Sequence, residues 1–159
     1  MPVLKNWTLS ARGSFPRLVT SLALMKIAVH HLALACCAVE VETTISLDLP
    51  VTQGDFELVP AGLGTSPIDL SVLVIAGTVS RAAEPRLHQV WTALEGPKLA
   101  IAYGVCASSG GPYWDSYSVL ASAAEVVPVS RFVPGCPPPR STLVDAIVAT
   151  ASEFAGVKS

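Results

Sequence analysis

Charged residues are scarce in this 159-residue chain, since Asp, Glu, Lys and Arg make up only 14% of it against 51% hydrophobic residues. This balance excludes a disordered polar chain and indicates a folded domain that buries apolar surface against partners. No apolar run reaches the roughly 18 residues of a membrane span, because Lys26, His30 and His31 interrupt the segment 21–39. For the same reason we expect no signal sequence there and an uncleaved N terminus.

Several functional motifs are also missing. The sequence has no Walker-type or dinucleotide-binding glycine motif and no Ser-His-Asp pattern, so neither nucleotide binding nor covalent catalysis is predicted. Acidic residues are absent before Glu40, which leaves residues 1–20 as a basic N-terminal arm. This arm suits an anionic surface or is simply solvated, and its few charges do not indicate nucleic-acid binding.

Apolar spacing in the first third of the chain predicts two elements and a loop. Spacings of three and four residues over 15–38 predict a helix that ends at the pair Cys36-Cys37. Alternation of apolar and polar residues over 39–47 predicts a half-exposed strand. The proline- and glycine-rich segment 50–67 is predicted to be a surface loop.

Downstream, strands and helices are predicted to alternate. A continuous, largely β-branched run at 72–76 is typical of a parallel strand that is buried on both faces. The elements predicted after it are a helix with Pro85 in its first turn, a strand at Lys98–Tyr103, a weak helix at 117–125, an edge or broken strand at 126–133 and a final helix N-capped by Thr142.

This alternation predicts an α/β fold with an open parallel sheet and flanking helices. In such sheets, ligands bind beyond the carboxyl ends of the strands. The segment GVCASSGG (104–111) stands at one of these ends, so Cys106 is a candidate ligand-binding residue.

The chain has four cysteines, Cys36, Cys37, Cys106 and Cys136. No two of them show the short gap of a zinc knuckle, and disulfides would need a secretory context that the N terminus does not provide. A 4Fe-4S cluster fits better, because it takes four thiolates that the fold may gather from distant segments. The small residues around Cys106 would leave room for the cluster and offer it amide donors, and the prolines after Cys136 would stiffen that turn. Directing two adjacent thiolates to one cluster is expected to strain the backbone.

Four segments resemble, in order, the signatures of the respiratory complex I 20 kDa subunit family, which in bacteria is the NADH-quinone oxidoreductase B protein. They are ACCAVE (35–40), VIAGTV (74–79), GVCASSGG (104–111) and VPGCPP (133–138). The resemblance extends over about 33–154 and implies a flavodoxin-like sheet that holds one 4Fe-4S cluster. By this resemblance the cluster ligands are Cys36, Cys37, Cys106 and Cys136, and residues 21–159 form a single α/β iron-sulfur domain.

The resemblance also implies a function and partners. The chain would be an electron-transfer subunit, inactive alone, that passes electrons to quinone beside a large 49 kDa-like subunit, a ferredoxin-like two-cluster subunit and a membrane-arm subunit. It would lie peripherally at the cytoplasmic face of a bacterial inner membrane rather than on the matrix side of a mitochondrial one. The alternatives are the small subunit of an energy-converting nickel-iron hydrogenase, which has a related fold, and a non-catalytic cluster-binding assembly subunit.

The chain departs from the family pattern after Glu40, where the segment 41–66 contains no basic residue. Four further residues are candidates for contacts around the cluster: Glu40, Arg81, Ser108 and Ser109. Glu40 would relay protons or orient the site, or else is a solvated carboxylate. Arg81 would raise the cluster's potential by a hydrogen bond, or else is a surface residue.

Overall fold

Strands and helices alternate along the residues that the structure, a computed structural model, describes: 24–62 and 67–157. In chain order they are β1 (Met25–Ala33), α1 (Cys37–Leu47), β2 (Val51–Gln53), β3 (Phe56–Pro60), β4 (Leu70–Ala76), α2 (Glu84–Ala93), β5 (Lys98–Tyr103), α3 (Val105–Ser109), β6 (Val129–Val133) and α4 (Ser141–Val157). Short 3-10 turns lie at Gly111–Tyr113 and Ala123–Glu125.

The six strands form one sheet in the order β2-β3-β1-β4-β5-β6. All neighbouring pairs are parallel except β2 and β3. The predicted α/β class, with a mostly parallel sheet and flanking helices, is therefore confirmed. In the part of the chain that is described, no helix is long and apolar enough to cross a membrane.

Alternate residues of the inner strands feed two cores, one on each face of the sheet. On β4, Val72 and Val74 face the core that α1 and α4 cover, whereas Leu73 and Ile75 face the core that contains Leu87 of α2. These four strand residues are 0% exposed. Burial on both faces explains why β4 reads as a continuous apolar run.

Several downstream predictions are confirmed. Strand β5 has the predicted bounds, α2 carries Pro85 in its first turn, and β6 is an edge strand. Two details are wrong. Within 117–125 only Ala123–Glu125 is helical, because the Glu125 carboxylate ties the turn to the amides of Ala121 and Ser122. Helix α4 begins at Ser141, so Thr142 lies inside it and donates its hydroxyl to the Pro139 carbonyl.

The predicted helix at 15–38 is wrong over its described part, which is mostly strand β1. Residues 1–23, including the basic arm at 1–20, lie outside the described residues. Strand β1 lies between β3 and β4, and Ile27, Ala28 and Val29 are all buried. A strand covered on both faces loses its alternation, so its apolar residues matched helical spacing by chance.

The predicted strand at 39–47 is also wrong, because these residues form helix α1. Its buried side chains include Ala38, Val41 and Thr44, a helical spacing that the polar residues between them hid. The hydroxyls of Thr43 and Thr44 donate to the carbonyls one turn earlier, at 2.6 and 2.8 Å, which accommodates these β-branched residues in the helix. The loop predicted at 50–67 contains the short strands β2 and β3.

Candidate metal centre

Four parallel strands end level with one another at one edge of the sheet. The register pairs Ala33 with Ala76, Ala76 with Tyr103, and Tyr103 with Val133, the last residues of β1, β4, β5 and β6. The segments that follow three of these strands carry Cys36, Cys37, Cys106 and Cys136. The sheet thus delivers all four cysteines to the edge where parallel sheets bind ligands.

The cysteine pair lies at the start of helix α1. The chain leaves β1 with the amides of Leu34 and Ala35 donating to the Ala76 carbonyl, and the helix begins directly afterwards. Cys36 is exposed, whereas Cys37 is 1% exposed. Cys36 has φ −55° and ψ −35°, an ordinary helical conformation, so the strain expected at the pair is not found at this residue.

Glycines pack against two of the thiols. A Cβ on Gly104 would lie 2.4 Å from the Cys37 sulfur, and one on Gly111 would lie 2.9 Å from the Cys106 sulfur. Gly104 also has φ +97° and ψ 156°, a conformation that is essentially confined to glycine. Both positions therefore exclude a side chain, as the prediction of a small-residue surround requires.

Backbone hydrogen bonds join the Cys106 segment to the Cys136 turn. The Gly104 amide donates to the Val133 carbonyl and the Val105 amide to the Gly135 carbonyl, both at 2.8 Å. These bonds hold the residues directly before Cys106 against the residues directly before Cys136.

The Cys37 thiol experiences the other three cysteines. Its pKa is raised from 9.0 to about 11, first because the side chain is buried and then because Cys36, Cys106 and Cys136 lie near enough to oppose its ionisation. A hydrogen bond with Cys36 acts in the same direction. The four thiols thus share one electrostatic environment, in which thiolates are stable only beside added positive charge.

All four cysteines are free thiols. Among the described residues, no three His, Cys, Asp or Glu side chains are grouped so as to hold a single metal ion.

Three of the residues predicted to surround the cluster are engaged elsewhere. The Ser108 and Ser109 hydroxyls donate to carbonyls of their own helix, those of Gly104 and Val105 at 2.9 and 3.3 Å. The Arg81 guanidinium donates to the Tyr117 carbonyl at 2.9 Å and so fastens the segment that follows α3.

Some of the predicted amide donors are engaged too. The amides of Ser108 and Gly110 donate to the carbonyls of Gly104 and Cys106, in addition to the Gly104 amide described above. Glu40 lies in the first turn of α1. It is close enough to Tyr103 to raise the pKa of that phenol, although burial of the ring is the larger cause.

Tyr103 has a role that the sequence does not indicate, since its pattern predicts only a core or interface aromatic. The residue is completely buried, and its hydroxyl lies 3.0 Å from the Pro138 carbonyl oxygen and 3.1 Å from that of Pro139. The one available signal is its position directly before the glycine of the Cys106 segment.

Comparison with known proteins identifies similar chains, all of them B proteins of NADH-quinone oxidoreductases. The chain is 36% identical over 115 residues to one from Symbiobacterium thermophilum, an alignment covering 72% of this chain and 61% of the relative. It is 36% identical over 136 residues to one from Salinispora tropica, covering 81% and 69%, and 40% identical over 116 residues to one from Rubrobacter xylanophilus, covering 72% and 44%. The chain therefore spans only about half to two thirds of these relatives, and they do not favour the hydrogenase alternative.

A solved structure has the same fold. It is the membrane-bound sulfane sulfur reductase, an archaeal respiratory membrane complex, one chain of which matches with a TM-score of 0.61 and 22% identity over 79% of this chain and 68% of that chain. The family model described as NADH ubiquinone oxidoreductase, 20 Kd subunit, matches residues 20–150. The resemblance noted in the sequence is thereby confirmed, and the chain belongs to the 20 kDa subunit family of NADH ubiquinone oxidoreductase.

Proposed function

We propose that Cys36, Cys37, Cys106 and Cys136 bind one 4Fe-4S cluster within a single α/β iron-sulfur domain at 21–159. The observation that carries the proposal is the effect of three thiols on the fourth, since Cys36, Cys106 and Cys136 all raise the pKa of Cys37. In a member of this family, four thiols at the carboxyl edge of a parallel sheet are best explained as the ligands of one redox group.

The residues present fit such a group. In a cubane cluster each thiolate binds a different iron, so the ligands lie farther apart than those of a single ion, and a cluster supplies one-electron transfer when it is bound. Gly104 and Gly111 keep side chains away from two of the sulfurs. The Cys37 thiol, whose pKa of about 11 keeps it neutral, would release its proton as iron binds.

We propose further that the chain transfers electrons to quinone in a complex I-like NADH-quinone oxidoreductase. The names of its relatives support this acceptor. The proposed partners are a large 49 kDa-like subunit, a ferredoxin-like two-cluster subunit and a membrane-arm subunit, with the complex at the cytoplasmic face of the membrane. Tyr113, Trp114 and Tyr117 directly follow the Cys106 segment with 54%, 72% and 91% exposure and offer aromatic surface of the kind that protein interfaces use.

The cluster proposal is tested by anaerobic reconstitution of the full chain with iron and sulfide. We expect about four iron and four acid-labile sulfide per chain and a paramagnetic signal on reduction. Stoichiometric zinc with no iron would reject the proposal.

The acceptor is tested separately in the complex purified with its co-encoded subunits. NADH should produce the reduced cluster signal, and a soluble short-chain quinone should then remove it. A signal that NADH produces but quinone leaves in place would contradict quinone as the acceptor and would leave the cluster assignment standing.

A further inference from the structure

The turn that carries Cys136 cannot hold itself in place by its own amides. Cys136 is followed by Pro137, Pro138 and Pro139, and none of these three residues has a backbone N–H. Hydrogen bonds can therefore fix this part of the turn only through its carbonyl oxygens, which need donors from elsewhere in the chain.

The donors come from three consecutive residues that precede Cys106. Before Cys136, the Gly104 and Val105 amides bind the carbonyls of Val133 and Gly135, as described above. After Cys136, the donor is the Tyr103 hydroxyl, at 3.0 Å from Pro138 and 3.1 Å from Pro139.

The Pro138 carbonyl depends on Tyr103 more than the Pro139 carbonyl does. Pro139 also accepts the amide and the hydroxyl of Thr142, at 3.0 and 2.6 Å, so its carbonyl keeps two donors without the tyrosine. Pro138 is buried, and a buried carbonyl that loses its donor is costly. The single phenolic proton is therefore of most consequence at Pro138.

Tyr103 is well suited to be an anchor. It is the last residue of β5, which pairs with β4 on one side and β6 on the other, and its ring is 0% exposed within the core that also contains Cys37. The hydroxyl is thus fixed by the sheet, whereas the turn it contacts has only its carbonyls as attachment points.

We propose that the Tyr103 hydroxyl is a positioning group, which holds the Cys136 turn where its sulfur can join Cys37 and Cys106 on one cluster. This inference rests on the proposed cluster function. The contacts that carry it, however, are present in the chain without a cluster.

The first test uses the full chain without iron and replaces the hydroxyl alone, in Tyr103→Phe. Loosening the turn should expose the Val105 amide, which donates to Gly135, and its hydrogen exchange should become about fivefold faster for the loss of one hydrogen bond. The Leu34 amide, which donates to Ala76 away from the turn, is the internal reference. Tyr117→Phe is the matched control, because that side chain is 91% exposed.

The second test uses the chain reconstituted with iron and sulfide. Tyr103→Phe should shift the g values of the reduced cluster and its midpoint potential, whereas Tyr117→Phe should leave both unchanged. A residue that only contributed to overall stability would lower the unfolding temperature without moving either property of the bound cluster.

The outcomes separate the two proposals. If the wild-type chain binds no cluster, the proposed function fails, and the exchange measurement alone decides whether Tyr103 holds the turn. If Val105 exchange or the cluster's g values are the same in Tyr103→Phe as in wild type, the positioning role is overturned.

A pair of unnatural residues covers the case in which Tyr103→Phe does not fold. 4-Aminophenylalanine keeps an N–H donor in place of the hydroxyl and should restore wild-type exchange and g values. 4-Fluorophenylalanine fills the same space with no proton to donate and should reproduce the loss. Equal behaviour of the two would overturn the proposal.

Discussion

Replacing Gly104 with alanine should damage the cysteine site directly, because the added methyl group would collide with the Cys37 sulfur. The new Cβ would lie 2.4 Å from that sulfur, and the contact would have to open by about 1 Å to become an ordinary van der Waals contact. Cys37 is fully buried at the start of α1, so its sulfur has little room to retreat.

Two costs add at this position. The backbone at Gly104 has φ +97° and ψ 156°, and placing a non-glycine residue there costs about 1–3 kcal/mol. Overpacking against the buried thiol costs about 1–3 kcal/mol more. Gly104→Ala should therefore lower the free energy of unfolding by about 2–6 kcal/mol and displace the Cys37 sulfur.

Gly96→Ala is the matched control. Gly96 also has a positive φ, +70°, but an added Cβ there would meet nothing within 4 Å. It should cost only the backbone term, about 1–2 kcal/mol, and leave cluster binding intact. Urea unfolding of the chain without iron and iron content after reconstitution measure the two effects. Equal destabilisation and equal iron content in the two variants would refute the packing argument.

Three further changes test other parts of the account. Cys106→Ala should abolish the paramagnetic signal of the reduced cluster, and an unchanged signal would remove Cys106 from the ligand set. Burial and the nearby charge of His31 lower the pKa of His30 from 6.5, with Arg86 lining the same cavity. The unfolded chain therefore takes up a proton below about pH 6.5 that the folded chain refuses, so the free energy of unfolding should fall from pH 7 to pH 5, by at most about 1.4 kcal/mol per pH unit. His30→Asn should flatten this fall in urea titrations, and an equal slope would argue against His30. Glu125→Ala, which removes a carboxylate bound to two backbone amides, should cost about 1 kcal/mol in thermal unfolding while iron content stays at the wild-type level; a loss of iron would show that this turn supports the site.

The sequence predicted those elements whose local pattern agrees with their place in the fold. Strand β4 is apolar throughout because both of its faces are buried, and α2 is marked by Pro85 at its start. Strand β1 and helix α1 were exchanged because their patterns depend on tertiary partners. Strand β1 is covered by neighbours that follow it in sequence, and α1 hides its buried face among polar and β-branched residues.

The candidate site was predictable only in part. The four cysteines could be named from their residue type and from the family resemblance, and the parallel strand order accounts for their meeting at one edge. The role of Tyr103 could not be predicted, because it depends on contacts with carbonyls 35 and 36 residues away. The intrahelical bonds of Ser108 and Ser109 likewise appear only once α3 is formed.

Native mass spectrometry of the reconstituted full chain tests the central claim most directly, because it counts the metal and sulfide bound to each molecule. The account predicts a single species that carries four iron and four sulfide and that disappears when any one of Cys36, Cys37, Cys106 or Cys136 is replaced by alanine. A chain that carries one metal ion without sulfide, or a cluster that persists without one of these thiols, would contradict it.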